Sequence, residues 1–166
     1  MGQKVQQLSD GEIAMLQNNF PKLLSDSGFK ITSPIDPNYN CIAFACIYDD
    51  RWMWPGGEEQ KLYDGFHFWP DGVGDDEDVV NFIEAFRKRG FEQCDSWAHE
   101  NGYLKVAFYV QPGTTICTHA SKESRAGLCR SKLGEWHDIQ HSTPYEIEGP
   151  AYGEVYPIFM KRNPDK

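Results

Sequence analysis

The sequence predicts an α+β fold, a single domain over residues 1–166 in which helices come first and an antiparallel sheet follows. Apolar residues recur at helical spacing in the first half, whereas the second half alternates and carries turn signals. Residues 41–46 form a short run that is apolar on every side, which predicts a buried helix. Helices and strands in separate blocks are typical of this class.

The first helix starts near a capping box, Ser9 followed by Glu12. Pro21 bends or splits this helix, and a loop rich in Pro, Asn and Asp follows over residues 33–40. The apolar positions at helical spacing are Ile13, Leu16, Phe20, Leu23 and Leu24.

The buried helix carries the most informative residue, Cys41, because Asn40 is a favoured N-cap and puts Cys41 in the first turn. The free amides and the dipole of that turn favour a thiolate, which is the nucleophilic form of cysteine. In the alternative interpretation, a core helix merely starts with a small apolar residue. Taken alone, the motif favours neither interpretation.

Residues 51–70 combine many aromatic side chains with Pro and Gly and predict an ordered loop held by aromatic packing. We expect most of them to cover the core, although the loop can also line a groove beside Cys41. The aromatic residues are Trp52, Trp54, Tyr63, Phe66, Phe68 and Trp69.

A second amphipathic helix begins at residues 75–78, with acids in its first turn, and ends at Gly90 after the basic residues 87–89. Its expected buried stripe is Val79, Val80, Phe82, Ile83 and Phe86. Strands are then predicted over residues 104–110, 115–121, 127–132 and 154–160.

Sixteen basic and 25 acidic residues give a formal net charge of -9, which argues against non-specific nucleic-acid binding. We interpret the acidic clusters as solvated surface rather than as a site for a cationic partner. The first ten residues are polar and predict no signal peptide, and no apolar stretch is long enough for a membrane span. The odd number of cysteines, five, predicts reduced thiols and a cytoplasmic location, with export by a dedicated machine still open.

A nucleophilic cysteine needs a base within hydrogen-bond reach, and the base needs a group that orients it. His119 is the best candidate base, since it lies inside a predicted strand and small residues follow it. A single strand histidine is more often structural, and the upstream Cys41 helix is what favours catalysis here.

Asp138 and His141 are the candidates for orienting His119, because both come after the strand expected beside it. Asp138 can accept from one imidazole nitrogen and fix the tautomer, which His141 does less effectively. Asp138 can instead cap a turn, and His141 can be a surface residue. We prefer Asp138. The backbone amide of Cys41 is the default oxyanion donor, with the side chain of Asn38 or Asn40 as the alternative.

This order of residues resembles the papain-like superfamily, whose compact members include NlpC-type peptidases and amidases. Residues 38–160 also resemble one poorly characterised bacterial papain-like family. The matching segments are Asn-Cys-Ile-Ala-Phe-Ala from residue 40, Thr118-His119-Ala120, Ser131-Lys132-Leu133-Gly134, Asp138-Ile139-x-His141 and Tyr152-Gly153. The resemblance implies a buried Cys-bearing helix packed on a C-terminal antiparallel sheet.

The sequence therefore predicts a papain-like thiol hydrolase with a Cys41–His119–Asp138 triad and His141 as the substitute orienting residue. Its expected partner is a peptide or amide substrate, including a protein, with no cofactor, metal, nucleic acid or membrane. A transferase or deamidase on the same fold is an alternative. So is a non-enzymatic binding module, such as a toxin, immunity or phage-defence component.

A zinc site is the third alternative, since Cys117, His119, Cys129, His137 and His141 are suitable ligand types. In a regular strand, the side chains of Cys117 and His119 would face the same side of the sheet. The chain has no Cys-x2-Cys pair, however, and this interpretation leaves the Cys41 motif without a role.

Overall fold

The computed structural model describes residues 8–33, 38–48, 51–55, 67–124, 127–133 and 137–164. Its helices are α1 (Asp10–Asn19), α2 (Cys41–Ala45), α3 (Val79–Lys88) and a 3-10 helix (Pro144–Ile147). Its strands are β1 (Lys30–Ser33), β2 (Trp52–Met53), β3 (His67–Phe68), β4 (Glu92–Cys94), β5 (Leu104–Val110), β6 (Cys117–Glu123), β7 (Cys129–Lys132), β8 (Asp138–His141) and β9 (Glu154–Arg162).

One seven-stranded sheet organises the molecule, in the order β1-β8-β7-β6-β5-β9-β4. Every neighbouring pair in it is antiparallel, and β2 and β3 form a separate parallel pair. A mixed helix and strand fold with an antiparallel sheet is therefore confirmed, but the sheet is not wholly C-terminal, because β1 is one of its edge strands.

The predicted helix starts are confirmed by their caps. The Ser9 hydroxyl accepts from the Glu12 amide at 3.1 Å, and the Glu12 carboxylate accepts from the Ser9 amide at the same distance. Helix α1 ends at Asn19 and turns replace it from Pro21 onward, because proline lacks the amide that would continue the ladder. Helix α3 starts at Val79 with Asp78 as its N-cap, so the acidic residues expected in its first turn precede the helix.

Helix α3 buries the stripe Val79, Phe82, Ile83 and Phe86. Val80 was expected in this stripe but is exposed. The buried positions follow the i, i+3, i+4, i+7 pattern from Val79, and Val80 falls beside that stripe.

Two hydrophobic cores lie on the two faces of the sheet, as alternate residues of β5 show. The first core holds α2, one face of α3, and Val106, Phe108 and Val110 of β5. The second core holds Ala107 and Tyr109 of β5, with Leu16, Leu23, Ile31, Ile139 and Phe159.

The aromatic loop predicted over residues 51–70 is described at its two ends, and Tyr63 and Phe66 lie outside the described residues. Trp54 and Trp69 contact Phe82 edge to face, with ring centroids 5.2 and 5.3 Å away. These ends therefore cover the first core. Within the described ranges, no helix is long and apolar enough to cross a membrane.

Candidate functional site

Asn40 caps α2, as predicted, and also ties the helix to β2. Its side-chain oxygen accepts from the amides of Ala43 and Met53, each at 3.1 Å, and its amide nitrogen donates to the Met53 carbonyl at 3.0 Å. Both ends of the Asn40 side chain are thus engaged, so it is not available to donate to an oxyanion at this helix mouth.

Cys41 is the first residue of α2 and is 7% exposed. Burial raises the pKa of its thiol to about 11, although hydrogen bonds to the backbone of Ala120, Ile42 and Cys41 and the charge of Lys132 lower it. Desolvation of the charged sulfur therefore acts against the thiolate that the helix terminus favours, and the reactivity of Cys41 stays a prediction.

The thiol lies where two strands separate. Over their described residues, β6 and β7 pair at Lys122–Arg130 and at Glu123–Cys129, and not farther toward Cys117. The Cys41 sulfur meets the backbone of Ala120 on the β6 side of this opening. We call this gap between β6 and β7 the β6–β7 opening.

His119 is one residue from that contact and is completely buried. Its ring stacks on Tyr152, with centroids 3.9 Å apart and planes 5° apart, and lies 5.2 Å from the Tyr109 ring. Neither ring nitrogen has a hydrogen-bond partner among the described residues. Burial lowers the pKa of His119 well below its usual value, and the charge of His141 adds to this.

A bulge in β6 determines which face each side chain occupies. His119 is paired with Tyr109, but the next pair is Cys117–Val110, so Thr118 is the extra residue. Cys117 consequently lies in the first core, whereas His119 shares the face of Tyr109 in the second. The expectation that Cys117 and His119 face the same side is therefore wrong.

Cys41 belongs to the first core and His119 to the other face, and neither ring nitrogen of His119 bonds to the thiol. Tyr152 stacks on His119. Burial raises the pKa of Tyr152, and so does the charge of Cys41.

Asp138 lies on the face of Cys41, at the start of β8. Its carboxylate accepts from the Tyr39 hydroxyl at 2.7 Å, and its register partner is the buried Lys132. The Lys132 ammonium is 5.3 Å from the Tyr39 ring centroid. Asp138 thus holds Tyr39 in this arrangement, and its role in orienting His119 stays a prediction.

His141 is completely buried, and not at the surface, on the face of His119. One ring nitrogen meets the Ser131 hydroxyl at 2.9 Å and the other meets the Thr143 carbonyl at 2.6 Å. Burial favours the neutral ring, but the charge and hydrogen bond of Cys129, with hydrogen bonds to Glu146 and Thr143, raise its pKa to about 10.

The pairing of Cys129 with His141 was not predicted from the sequence. The two residues are directly opposite each other in β7 and β8, and the Cys129 thiol donates to the Ser121 hydroxyl at 3.2 Å. Cys129 lies two residues before the segment that starts at Ser131, and His141 ends the segment that starts at Asp138. A hairpin that pairs these two segments would place Cys129 opposite His141, so the pair could have been predicted.

The zinc alternative is not supported by these positions. Cys117 and Cys129 lie on opposite faces of the sheet, as their register partners show. In the part of the chain that the structure describes, no three His, Cys, Asp or Glu side chains come together as a metal site.

The chain belongs to the family described as "Domain of unknown function (DUF7689)", whose model matches residues 30–160. The matched segment runs from β1 into β9 and includes all four candidate residues, Cys41, His119, Asp138 and His141. No curated protein and no solved structure matches the chain.

Proposed function

We propose that the protein is a papain-like thiol hydrolase that cleaves a peptide or another amide, with Cys41 as nucleophile and His119 as base. The five free cysteines suit the reducing cytoplasm in which we expect it to act. No cofactor takes part in the reaction that we propose.

The observation that carries this proposal is the pair of unpartnered ring nitrogens of His119. A buried polar atom without a hydrogen bond costs free energy, on the order of 1–3 kcal/mol. Such a group is kept where it has a function, and this one lies one residue from the backbone that meets the Cys41 thiol.

The pKa directions support a general-base mechanism and not a resting thiolate–imidazolium pair. With the pKa of Cys41 raised to about 11 and that of His119 lowered, both groups are neutral at pH 7. The proton then moves from sulfur to His119 during attack, so the base must approach the thiol. In this proposal the His119 ring reaches the thiol through the β6–β7 opening.

The bond changes are those of acyl transfer through a thioester. The Cys41 sulfur bonds to the carbonyl carbon while its proton passes to His119, and the carbonyl oxygen becomes an oxyanion beside the α2 amides. The imidazolium then gives its proton to the leaving nitrogen as the carbon–nitrogen bond breaks. Water, with His119 as base, cleaves the thioester and restores the thiol.

The two candidates for orienting His119, His141 and Asp138, lie on different faces of the sheet. His141 lies on the face of His119, and its charge lowers the pKa of His119. Asp138 lies on the face of Cys41 and is bonded to Tyr39. We retain Asp138 as the proposed third residue, to act once the His119 ring has entered the opening, with His141 as the substitute.

Turnover of a fluorogenic peptide and amide library by wild type, Cys41→Ala and Cys94→Ala tests the proposal. We expect Cys41→Ala to abolish hydrolysis and Cys94→Ala, which changes a partly exposed thiol, to keep it. Circular dichroism and thermal melting check that both variants fold. Hydrolysis that survives in folded Cys41→Ala would contradict the nucleophile assignment.

A non-enzymatic binding module on the same fold is the second candidate, favoured by the buried, protonated thiol. It predicts no turnover by any variant and no accumulation of an acyl-enzyme mass on Cys41. Transfer to an amine, or deamidation of a glutamine side chain, would appear instead as turnover with a different product.

A further inference from the structure

A cavity of about 490 Å³ lies at the opposite end of α2 from Cys41. Ala45 of α2 and Ile47 after it line one wall, and the sheet forms another. We call it the α2-end cavity. Its volume is within the range of cavities that hold small organic ligands.

Basic side chains converge on this cavity, although the chain as a whole has a formal charge of -9. Lys122 and Arg130 are register partners on β6 and β7, and Arg162 of β9 is paired with Leu104 of β5. Paired residues of antiparallel strands project to the same face, so the register itself brings these cations together. Lys105 also lines the cavity.

Aromatic and backbone groups contact these cations. The Lys122 ammonium lies 4.0 Å from the Phe44 ring centroid and the Arg130 guanidinium lies 5.9 Å from it. Arg162 donates to the Arg89 carbonyl at 3.1 Å. The buried Nε of Arg130 has no hydrogen-bond partner among the described residues.

Glu123, the acidic side chain among the described lining residues, is already engaged. Its carboxylate meets the His99 ring at 2.8 Å and accepts from the Lys105 amide at 3.2 Å. The Lys105 ammonium donates to the Ser96 carbonyl at 2.8 Å and lies 3.8 Å from the Glu100 carboxylate. Apart from Lys105 and Glu123, the charged lining residues are the cations Lys122, Arg130 and Arg162, so the lining carries an excess of positive charge.

We propose that the α2-end cavity binds a small organic phosphate. Its phosphate contacts Arg130 and Lys122, because a guanidinium fork and an ammonium suit a doubly charged tetrahedral oxyanion better than a single carboxylate. Its organic part packs against the apolar wall of Phe91 and Val106. This site is separate from the proposed hydrolase site and does not depend on it.

Isothermal titration calorimetry in low salt tests the proposal with four probes: phenyl phosphate, inorganic phosphate, benzoate and phenol. We expect phenyl phosphate to bind most tightly, inorganic phosphate and benzoate more weakly, and phenol not measurably. Binding should weaken as sodium chloride is added. Benzoate binding as tightly as phenyl phosphate, or no binding of either phosphate, would overturn the proposal.

Variants of single cations locate the site. We expect Arg130→Gln and Lys122→Gln each to weaken phenyl phosphate binding about tenfold, the loss of one charge-assisted hydrogen bond. Arg87→Gln removes the same charge from the exposed surface of α3 and should leave binding unchanged. Equal weakening in Arg87→Gln would mean an adventitious ion effect only, and Lys122→Gln decides the matter if Arg130→Gln does not fold.

Discussion

At Cys41, the helix start and burial change the pKa of the thiol in opposite directions. The first turn of α2 and the Ala120 backbone favour the thiolate, while burial removes the water that would solvate it. The balance lies with burial, because a helix of five residues supplies few aligned peptide dipoles. The thiol is therefore a weak acid in the resting arrangement.

Alkylation rates measured against pH test this balance. We expect iodoacetamide to label Cys94 first at pH 7, because it is the one partly exposed thiol of the five, and labelling of Cys41 to rise toward pH 11. Peptide mapping by mass spectrometry tracks both residues in one sample. A Cys41 rate that is already maximal near pH 7 would mean that the thiolate pair with His119 exists at rest.

Tyr152 and Gly153 form the end of the turn that precedes β9. Gly149 and Gly153 exchange two backbone hydrogen bonds, at 3.0 and 2.8 Å, and Gly153 has a φ of 82°. A Cβ on Gly153 would lie 2.1 Å from the Val110 carbonyl oxygen. The turn therefore needs glycine, and it positions the Tyr152 ring against His119.

We expect Gly153→Ala to destabilise the fold far more than Gly113→Ala. Gly113 has a similar φ of 75°, but nothing lies within 4 Å of a Cβ there. Gly113→Ala should cost about 1–2 kcal/mol for the left-handed backbone alone. Gly153→Ala adds a backbone clash to that cost. Urea denaturation of both variants measures the difference, and equal losses would show that the Gly153 turn can shift to accept a Cβ.

The elements with strong local signals were predictable from the sequence. The capping box at Ser9, the N-cap Asn40 and the full extent of Leu104–Val110 are all as expected. The short polar strands β1 and β4 carry no such signal, since apolar and polar residues alternate only weakly in them. Pairing with their neighbours in the sheet is what stabilises these two strands. Tertiary context, not local preference, makes them strands.

The candidate site shows the same division. The position of Cys41 at a helix start could be predicted from Asn40 and the apolar run after it. The side of the sheet that His119 faces could not, because it depends on a bulge at Thr118. The Thr118 hydroxyl lies within hydrogen-bond reach of the carbonyls of Tyr109 and Tyr152, which are distant in sequence. A one-residue bulge reverses the faces of the side chains beyond it, and no periodicity within β6 reveals it.

Both cores of the molecule contain ionisable groups, and folding changes the pKa values of two buried histidines in opposite directions. The folded pKa of His119 lies below its unfolded value of about 6.5, so only the unfolded chain takes up this proton as the pH falls below 6.5. The folded pKa of His141 is about 10, so the folded chain binds this proton first. The stabilisation from His141 is complete below pH 6.5 and is lost between 6.5 and 10.

These signs predict a maximum of stability near pH 6.5, with a decline on each side that belongs to a different residue. Each histidine can contribute a slope of up to about 1.4 kcal/mol per pH unit. His119→Gln should flatten the acid side and leave the alkaline side unchanged. His141→Gln should remove the decline in stability from pH 6.5 to about 9. Above pH 9 stability still falls, because burial raises the pKa values of the Cys41 and Cys46 thiols to about 11 and 12 in the folded chain. Urea denaturation at pH 5, 6.5, 8 and 9.5 measures all three proteins, and each variant is the control for the other. If both variants flatten the same side, the two rings titrate as one unit and their opposite assignments are wrong.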